Sequence, residues 1–300
     1  MEALQWANNK LRKAGVDSPM LDAEILLSHT LEVPKTWLFA HFTDPLKTHH
    51  REKFHLLVDR RCNREPVAYL VQKKSFYGRS FEVNAFVLIP RPETETLIDT
   101  VIEILKDTDP EHTILSDIGT GSGAIAVTLA HETKLPVIAI DIDAPALSVA
   151  KQNATIHGVH EQIDFQQGNL VEPLVRLFKS IREQKKVKTS SVYPFKHLLI
   201  AANLPYLPES RIERLEPEIK TYEPRLALAS GTDGLDHYFE LFRQLRQNRK
   251  ILPRRLSVII EIDPDQRAAI EKLIHHDFPS AKPETRKDLH GHDRVVSVEI

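Results

Sequence analysis

One seven-residue stretch, Asp117-Ile118-Gly119-Thr120-Gly121-Ser122-Gly123, restricts the folds open to this chain more than any other. It follows the β-prone run Thr113-Ile114-Leu115-Ser116 and opens into Ala124-Ile125-Ala126-Val127-Thr128-Leu129-Ala130, which reads as a helix. Strand, glycine turn and helix in that order form a nucleotide-binding context in an α/β sheet. Three glycines at alternate positions let the backbone turn sharply and approach a ligand, because no Cβ obstructs positive φ or the approach itself. The helix start then offers unpaired N–H groups to a polar ligand. A tight turn of this kind also occurs without a ligand, so the loop by itself leaves function open.

The next strand, Val137-Ile138-Ala139-Ile140, ends in Asp141, at about the distance where such folds place an acid for ribose hydroxyls. The loop lacks the further glycine, after two intervening residues, that brings a backbone close to a pyrophosphate. It suits a nucleoside without phosphates, such as S-adenosylmethionine.

The 300 residues allow one large domain or two ordinary ones. Hydrophobic content of 41% and charged content of 27% are those of a soluble globular protein. A net charge of -2 argues against nucleic-acid binding through bulk electrostatics. The single cysteine, Cys62, excludes an internal disulfide and a thiolate zinc cluster, and fits a reducing compartment. No apolar run approaches membrane-spanning length, and Met1-Glu2-Ala3-Leu4-Gln5-Trp6 lacks a basic start followed by an apolar core, so a cytoplasmic location is expected. The paired histidines His49-His50, His275-His276 and His290-Gly291-His292 have no acids or further histidines at ligand spacing; they are read as surface residues, and no metal is expected.

In chain order, residues 1–72 read as a helical domain. Apolar residues recur at three and four, with breaks at Asp17-Ser18-Pro19, Val33-Pro34 and Asp44-Pro45. Trp6, Trp37 and Phe39 are expected in its core. Residues 73–90 read as a β-hairpin linker around Phe76-Tyr77-Gly78-Arg79, and 91–300 as a catalytic domain of alternating strands and helices. The basic segment from Leu174 to Lys196 reads as an exposed insertion.

Ligands in open α/β sheets bind beyond the carboxyl ends of the strands. The strand-ending segments here are the glycine loop, Asp141, Gly168-Asn169-Leu170 and Asn203-Leu204-Pro205-Tyr206. Methyl transfer to an amide or aryl-amine nitrogen needs the nitrogen oriented in line with the sulfonium methyl, because its lone pair is ordinarily delocalised. Asn203 can accept one N–H through its side chain and the Leu204 carbonyl the other, with Pro205 fixing the turn and Tyr206 placed to stack on the planar group. Orientation and electrostatics then carry most of the work. Asn-x-Pro-Tyr is also an ordinary strand-terminating turn; beside the glycine loop and Asp141, the functional reading leads.

These residues resemble the HemK/PrmC family, the methyltransferases that modify the glutamine of the Gly-Gly-Gln loop in peptide chain release factors. The likeness spans nearly the whole chain: Pro19-Met20-Leu21-Asp22-Ala23-Glu24 and Arg64-Glu65-Pro66-Val67-Ala68-Tyr69, then Ile89-Pro90-Arg91-Pro92-Glu93-Thr94-Glu95, the glycine loop, Tyr222-Glu223-Pro224-Arg225-Leu226-Ala227-Leu228 and Asp293-Arg294-Val295-Val296. The resemblance implies a Rossmann-like class I S-adenosylmethionine-dependent methyltransferase domain of α/β class preceded by a small all-helical domain that helps grip the release factor. It implies S-adenosylmethionine at Asp117, Gly119, Thr120, Gly121, Ser122, Gly123, Asp141, Asn169, Leu170 and Asn203, and the glutamine amide at Asn203, Leu204, Pro205 and Tyr206, with Arg91 on the substrate side. A monomer that touches neither membrane nor nucleic acid directly is expected. Leu204 stands where the family has a second proline, Asn169-Leu170 where it has an acid and commonly a tryptophan or another bulky residue, and the basic insertion is unusual. Two rivals remain: an adenine-N6 methyltransferase acting on RNA or DNA, whose Asn-Leu-Pro-Tyr motif is similar, and a catalytically silent S-adenosylmethionine-binding protein.

Overall fold

The computed structural model describes residues 2–41, 43–186 and 195–300. The chain divides into two compact units, one formed by residues 1–73, 83–85 and 215–223, the other by 74–82, 86–214 and 224–300. The hairpin, expected as a linker, thus falls mostly to the second unit, and a segment far along the chain falls to the first.

The first unit holds α1 (Glu2–Lys13), α2 (Pro19–Leu31), α3 (Lys35–Ala40), α4 (Thr48–Cys62) and α5 (Val67–Val71). Leu4, Ala7 and Leu11 of α1 meet Ala23, Leu26 and Leu27 of α2 and Phe54, Leu57 and Val58 of α4 in one core, which is the three-and-four spacing of these sequences turned inward. A buried cation sits within it: Arg61 donates to Asp22 at 2.7 Å and to Glu218 at 2.8 Å, while Arg64 donates to Glu218 at 2.7 Å. Tyr222 donates to the Asn63 carbonyl at 2.7 Å. The aromatic expectation needs correction. Trp6 packs on Phe54, but Trp37 and Phe39 are 36% and 52% exposed, Trp37 lying flat on His41. A six-residue helix has too little apolar face to bury both. Burial pushes the Cys62 thiol up, consistent with an unreactive side chain.

The second unit begins with a hairpin, β1 (Lys73–Phe76) and β2 (Arg79–Glu82), and α6 (Glu95–Leu105). It continues with β3 (Thr113–Ile118), α7 (Ala124–Thr133), β4 (Val137–Asp141), α8 (Ala144–Ile156), β5 (Ile163–Gln167), α9 (Glu172–Lys186) and β6 (His197–Ala202). After the short helices α10 (Glu209–Ile212) and α11 (Pro217–Tyr222, in the first unit) come α12 (Asp236–Asn248), β7 (Arg255–Glu261), α13 (Arg267–Asp277), β8 (Glu284–Lys287) and β9 (Asp293–Glu299). The sheet order is β5-β4-β3-β6-β7-β9-β8, parallel except for β9, which runs antiparallel to both neighbours.

Side-chain alternation fills both faces, so the central strands are continuous apolar runs. Ile114, Leu198 and Ile200 point to one core with Tyr238, Leu241 and Ile270; Leu115, Leu199 and Ala201 point to the other with Leu97, Ile98 and Val127. This is the Rossmann-like class I methyltransferase architecture expected of the second unit. The segment beginning at Leu174 is not an exposed insertion at its start: Leu174, Val175 and Phe178 of α9 are buried in the first of these cores. The rest of that expectation, at residues 187–194, lies outside the described residues. Among those described, no helix is long and apolar enough to cross a membrane, and no cluster of histidine, cysteine or carboxylate side chains is arranged to hold a metal.

Candidate active site

Sheet order reverses between β3 and β6, and a cleft opens there beyond the strand ends, as the topology dictates. It encloses about 1150 Å³, its open mouth included, and lies wholly in the second unit. Its floor is the glycine loop with Asp141, Asn169, Leu170, Asn203, Leu204 and Pro205; Phe86, Val87, Leu88, Pro90, Arg91 and Thr94 form one wall.

The loop is pinned from below. The Ile140 carbonyl at the end of β4 accepts from Gly119 N at 2.8 Å and Thr120 N at 2.9 Å, and Gly121 N donates to Asp141 Oδ2 at 2.8 Å. Gly119 has φ +76°, and a Cβ there would lie 3.0 Å from Leu204 Cδ2, so the loop rests directly on the Leu204 side chain. Leu204 is buried by this contact, leaving its backbone as the part available for polar work.

Two residues expected to hold the cofactor are placed otherwise. Asp117 is 0% exposed and does not line the cleft; its Oδ2 accepts from Thr120 Oγ1 at 2.6 Å and from Ala126 N at 3.0 Å, bracing the loop against the start of α7. Burial pushes its carboxyl up to about 7, and its Oδ1 has no partner. Gly123 also stays out of the cleft: it takes φ +79° where a Cβ would come within 3.0 Å of Ala150 Cα, the point at which α7 and α8 approach. Thr120, Gly121, Ser122, Asn169 and Leu170 do line it, Leu170 with φ +52°.

Asp141 is held by two backbone bonds, from Gly121 to Oδ2 and from Asp143 N to Oδ1 at 2.9 Å. Burial raises its pKa, and these bonds oppose the rise. Each carboxylate oxygen accepts one N–H and keeps a second acceptor site. Such a fixed pair of acceptors at a cleft edge, beside a glycine cradle that a Cβ would fill, fits the ribose of a nucleoside.

Asn203 follows the end of β6 with Nδ2 donating to Thr94 Oγ1 at 3.1 Å; Thr94 Oγ1 in turn donates to Glu261 Oε2 at 2.6 Å. Tyr206 O–H donates to Glu261 Oε1 at 3.0 Å. Buried Tyr238 pins the same region, its hydroxyl donating to the Glu261 carbonyl and bonded to the backbone of Leu204. The Asn203 side-chain oxygen is thereby the end of the amide left for the cleft.

Over its full length the chain is 35% identical to the release factor glutamine methyltransferase of Bacillus cereus, covering 98% of that protein. The chain belongs to the release factor glutamine methyltransferase family. A relative of the same name from Nitratidesulfovibrio vulgaris is 36% identical over 98% of this chain and 92% of its own. The PrmC N-terminal domain matches residues 2–71, and ribosomal protein L11 methyltransferase (PrmA) matches residues 94–180. Among solved structures, the human METTL16 catalytic domain, in complex with the MAT2A 3′UTR hairpin 6, aligns with a TM-score of 0.52 at 14% identity, over 74% of this chain and 75% of its own. At that identity the likeness speaks for the fold alone.

In this family member Tyr206 is not among the residues that line the cleft: it is half-buried, and its hydroxyl donates to Glu261. That bond anchors the Tyr206 hydroxyl. Arg91 lies in the cleft wall. Thr94 and Glu261 lie in stretches that carry the family resemblance, Ile89 to Glu95 and Glu261-Ile262-Asp263, but the sequence expectations assign neither a role in the site. The available signal was the carboxylate that directly closes the apolar run Leu256-Ser257-Val258-Ile259-Ile260 at a carboxyl strand end, where a charge is expensive unless it is used.

Proposed function

We propose that this chain transfers a methyl group from S-adenosylmethionine to the side-chain amide nitrogen (N5) of the glutamine in the Gly-Gly-Gln loop of peptide chain release factors. The observation that carries the reading is the orientation of Asn203, whose Nδ2 is committed to Thr94 so that Oδ1 is offered as an acceptor beside the glycine loop. Full-length similarity to release factor glutamine methyltransferases supports the substrate.

When bound, S-adenosylmethionine supplies an electrophilic sulfonium methyl. Asp141 would accept hydrogen bonds from the ribose hydroxyls, and the glycine loop with Asn169 and Leu170 would cradle the nucleoside. Asn203 Oδ1 accepts one amide N–H of the substrate and the Leu204 carbonyl the other; with both held, the nitrogen lone pair is turned out of the amide plane toward the methyl. The nitrogen sheds a proton to water after transfer, so no strongly basic side chain is required. Arg91 contributes to the substrate side of the cleft. Pro205 keeps the Leu204 carbonyl in place by fixing its own φ.

The helical domain over residues 1–72 is read as a grip on parts of the release factor remote from the reacting loop, consistent with the PrmC N-terminal domain match. In this reading the chain acts as a cytoplasmic monomer without direct nucleic-acid contact, in keeping with its net charge of -2. Hydrogen exchange on the complex should show amides of the helical unit protected by an intact release factor; protection confined to the second unit rejects the grip.

The reaction itself is tested with labelled S-adenosylmethionine. Label should enter a release factor carrying Gly-Gly-Gln, disappear when that glutamine is alanine, and disappear with Asn203→Ala while cofactor binding persists. Labelled ribosomal RNA beside an unlabelled release factor overturns the substrate, and cofactor binding with no transfer to either overturns the activity.

A further inference from the structure

We propose that Thr94 and Glu261 are positioning residues that fix which end of the Asn203 amide meets the substrate nitrogen. The inference rests on the reading of Asn203 as the acceptor of a substrate N–H and names what makes it one.

The two ends of an asparagine amide are almost the same shape, so packing alone discriminates poorly between them. One end accepts a substrate N–H; the other would present two donors to it and repel it. The choice is made by a single proton. A threonine hydroxyl has one, and that of Thr94 is spent on Glu261 Oε2 at 2.6 Å. Its oxygen can then only accept from its other neighbour, and the neighbour 3.1 Å away is Asn203 Nδ2. Glu261 is suited to hold that proton direction. It is 1% exposed, and its other oxygen accepts from Tyr206 O–H at 3.0 Å, so both carboxylate oxygens face hydroxyl donors. Burial raises the Glu261 pKa, and the bonds from Thr94 and Tyr206 oppose that rise by stabilising the carboxylate that accepts them. The order of direction is thus Glu261, Thr94, Asn203, substrate, and neither Thr94 nor Glu261 needs to touch the reacting nitrogen to matter.

Thr94→Val keeps the shape and removes the acceptor, making the two amide orientations of Asn203 nearly equivalent; Thr94→Ser keeps the hydroxyl. With the full-length chain, kcat and KM for release factor methylation, the Kd for S-adenosylmethionine, the Tm, and the exchange rate of the Asn203 side-chain NH2 protons by 15N NMR are measured on both. Thr94→Val should lower kcat at least about tenfold, with cofactor Kd and release-factor KM within about threefold. Its Asn203 NH2 protons should exchange faster with water, and Thr94→Ser should restore both kcat and slow exchange. Thr94→Val at parental kcat, a loss matched by Thr94→Ser, or unchanged NH2 exchange would each overturn the relay. Should the valine variant fail to fold, the serine variant still decides, because a relay requires near-parental kcat and exchange there. Full activity in Asn203→Ala would instead sink the underlying reading, which keeps the two failures apart.

Discussion

Gly121 N and Asp141 Oδ2 are joined at 2.8 Å, so the tip of the glycine loop is fastened to the acid that ends the neighbouring strand. The residue proposed to hold the ribose therefore also sets the shape of the cradle. Asp141→Ala removes ribose acceptors and releases Gly121 and Asp143 at once. A lost hydrogen bond to a charged group costs about 1.5–3 kcal/mol. Affinity for S-adenosylmethionine should fall at least about tenfold by calorimetry; unchanged affinity in the folded variant places the ribose contact elsewhere.

Gly123 and Gly78 both hold positive φ, at +79° and +71°, but only Gly123 is crowded. Alanine at Gly78 meets nothing within 4 Å and should cost about 1–2 kcal/mol from the left-handed backbone alone. Alanine at Gly123 adds overlap with Ala150 across the α7–α8 contact, for about 1–3 kcal/mol more. Denaturant titrations of the pair test this, and equal losses would mean the helices simply move apart.

The buried Asp117 carboxyl makes stability depend on pH with a definite sign. Its folded pKa, pushed up to about 7, lies above the ordinary carboxylate value of about 4. Below about 4 both states are protonated; between about 4 and 7 only the folded state keeps the proton, so stability contributed by this group falls as pH rises and levels off above 7. The amide introduced by Asp117→Asn cannot titrate. The stability of the parent relative to that variant should fall from pH 4 to 7 and stay constant beyond, measured in urea at each pH; a flat difference removes the buried carboxyl as its source.

Arg61 is buried with Asp22 and Glu218 as partners. Arg61→Ala leaves Asp22 uncompensated and Glu218 with Arg64 alone, and breaking a buried pair from one side costs about 3–5 kcal/mol. Amide exchange in α2 and α4 should accelerate about a hundredfold or more, while that of α12, in the other unit, holds. Acceleration confined to residues flanking position 61 would show that the acids relax into water without disturbing the helices.

The parts of this fold legible in the sequence were those decided locally. The central strands announced themselves as apolar runs because both faces are covered, and the glycine loop because only glycine tolerates its backbone. The edge strand β8 did not: Glu284-Thr285-Arg286-Lys287 is polar, and its pairing is dictated by β9. The apolar face of α9 was masked by the lysines and arginines of the same helix. In the candidate site, Asn203 and Asp141 could be found from their strand ends. The anchoring of Tyr206 could not, because its partner Glu261 arrives 55 residues later, and the bracing by Asp117 could not, because the local sequence does not say whether a strand-end carboxylate turns into the cleft or back onto its own loop.

The same long separation governs how this protein can be made. The guanidinium of Arg61 and the carboxylate of Glu218 stand 157 residues apart. At a synthesis rate of roughly 5–20 residues per second, a nascent chain waits about 8–30 s between them. Through that interval α4 carries a cation whose full set of partners does not yet exist. The helices α1 to α5 are therefore made before the sheet, and their unit cannot be finished until β6 and the short helices behind it have followed.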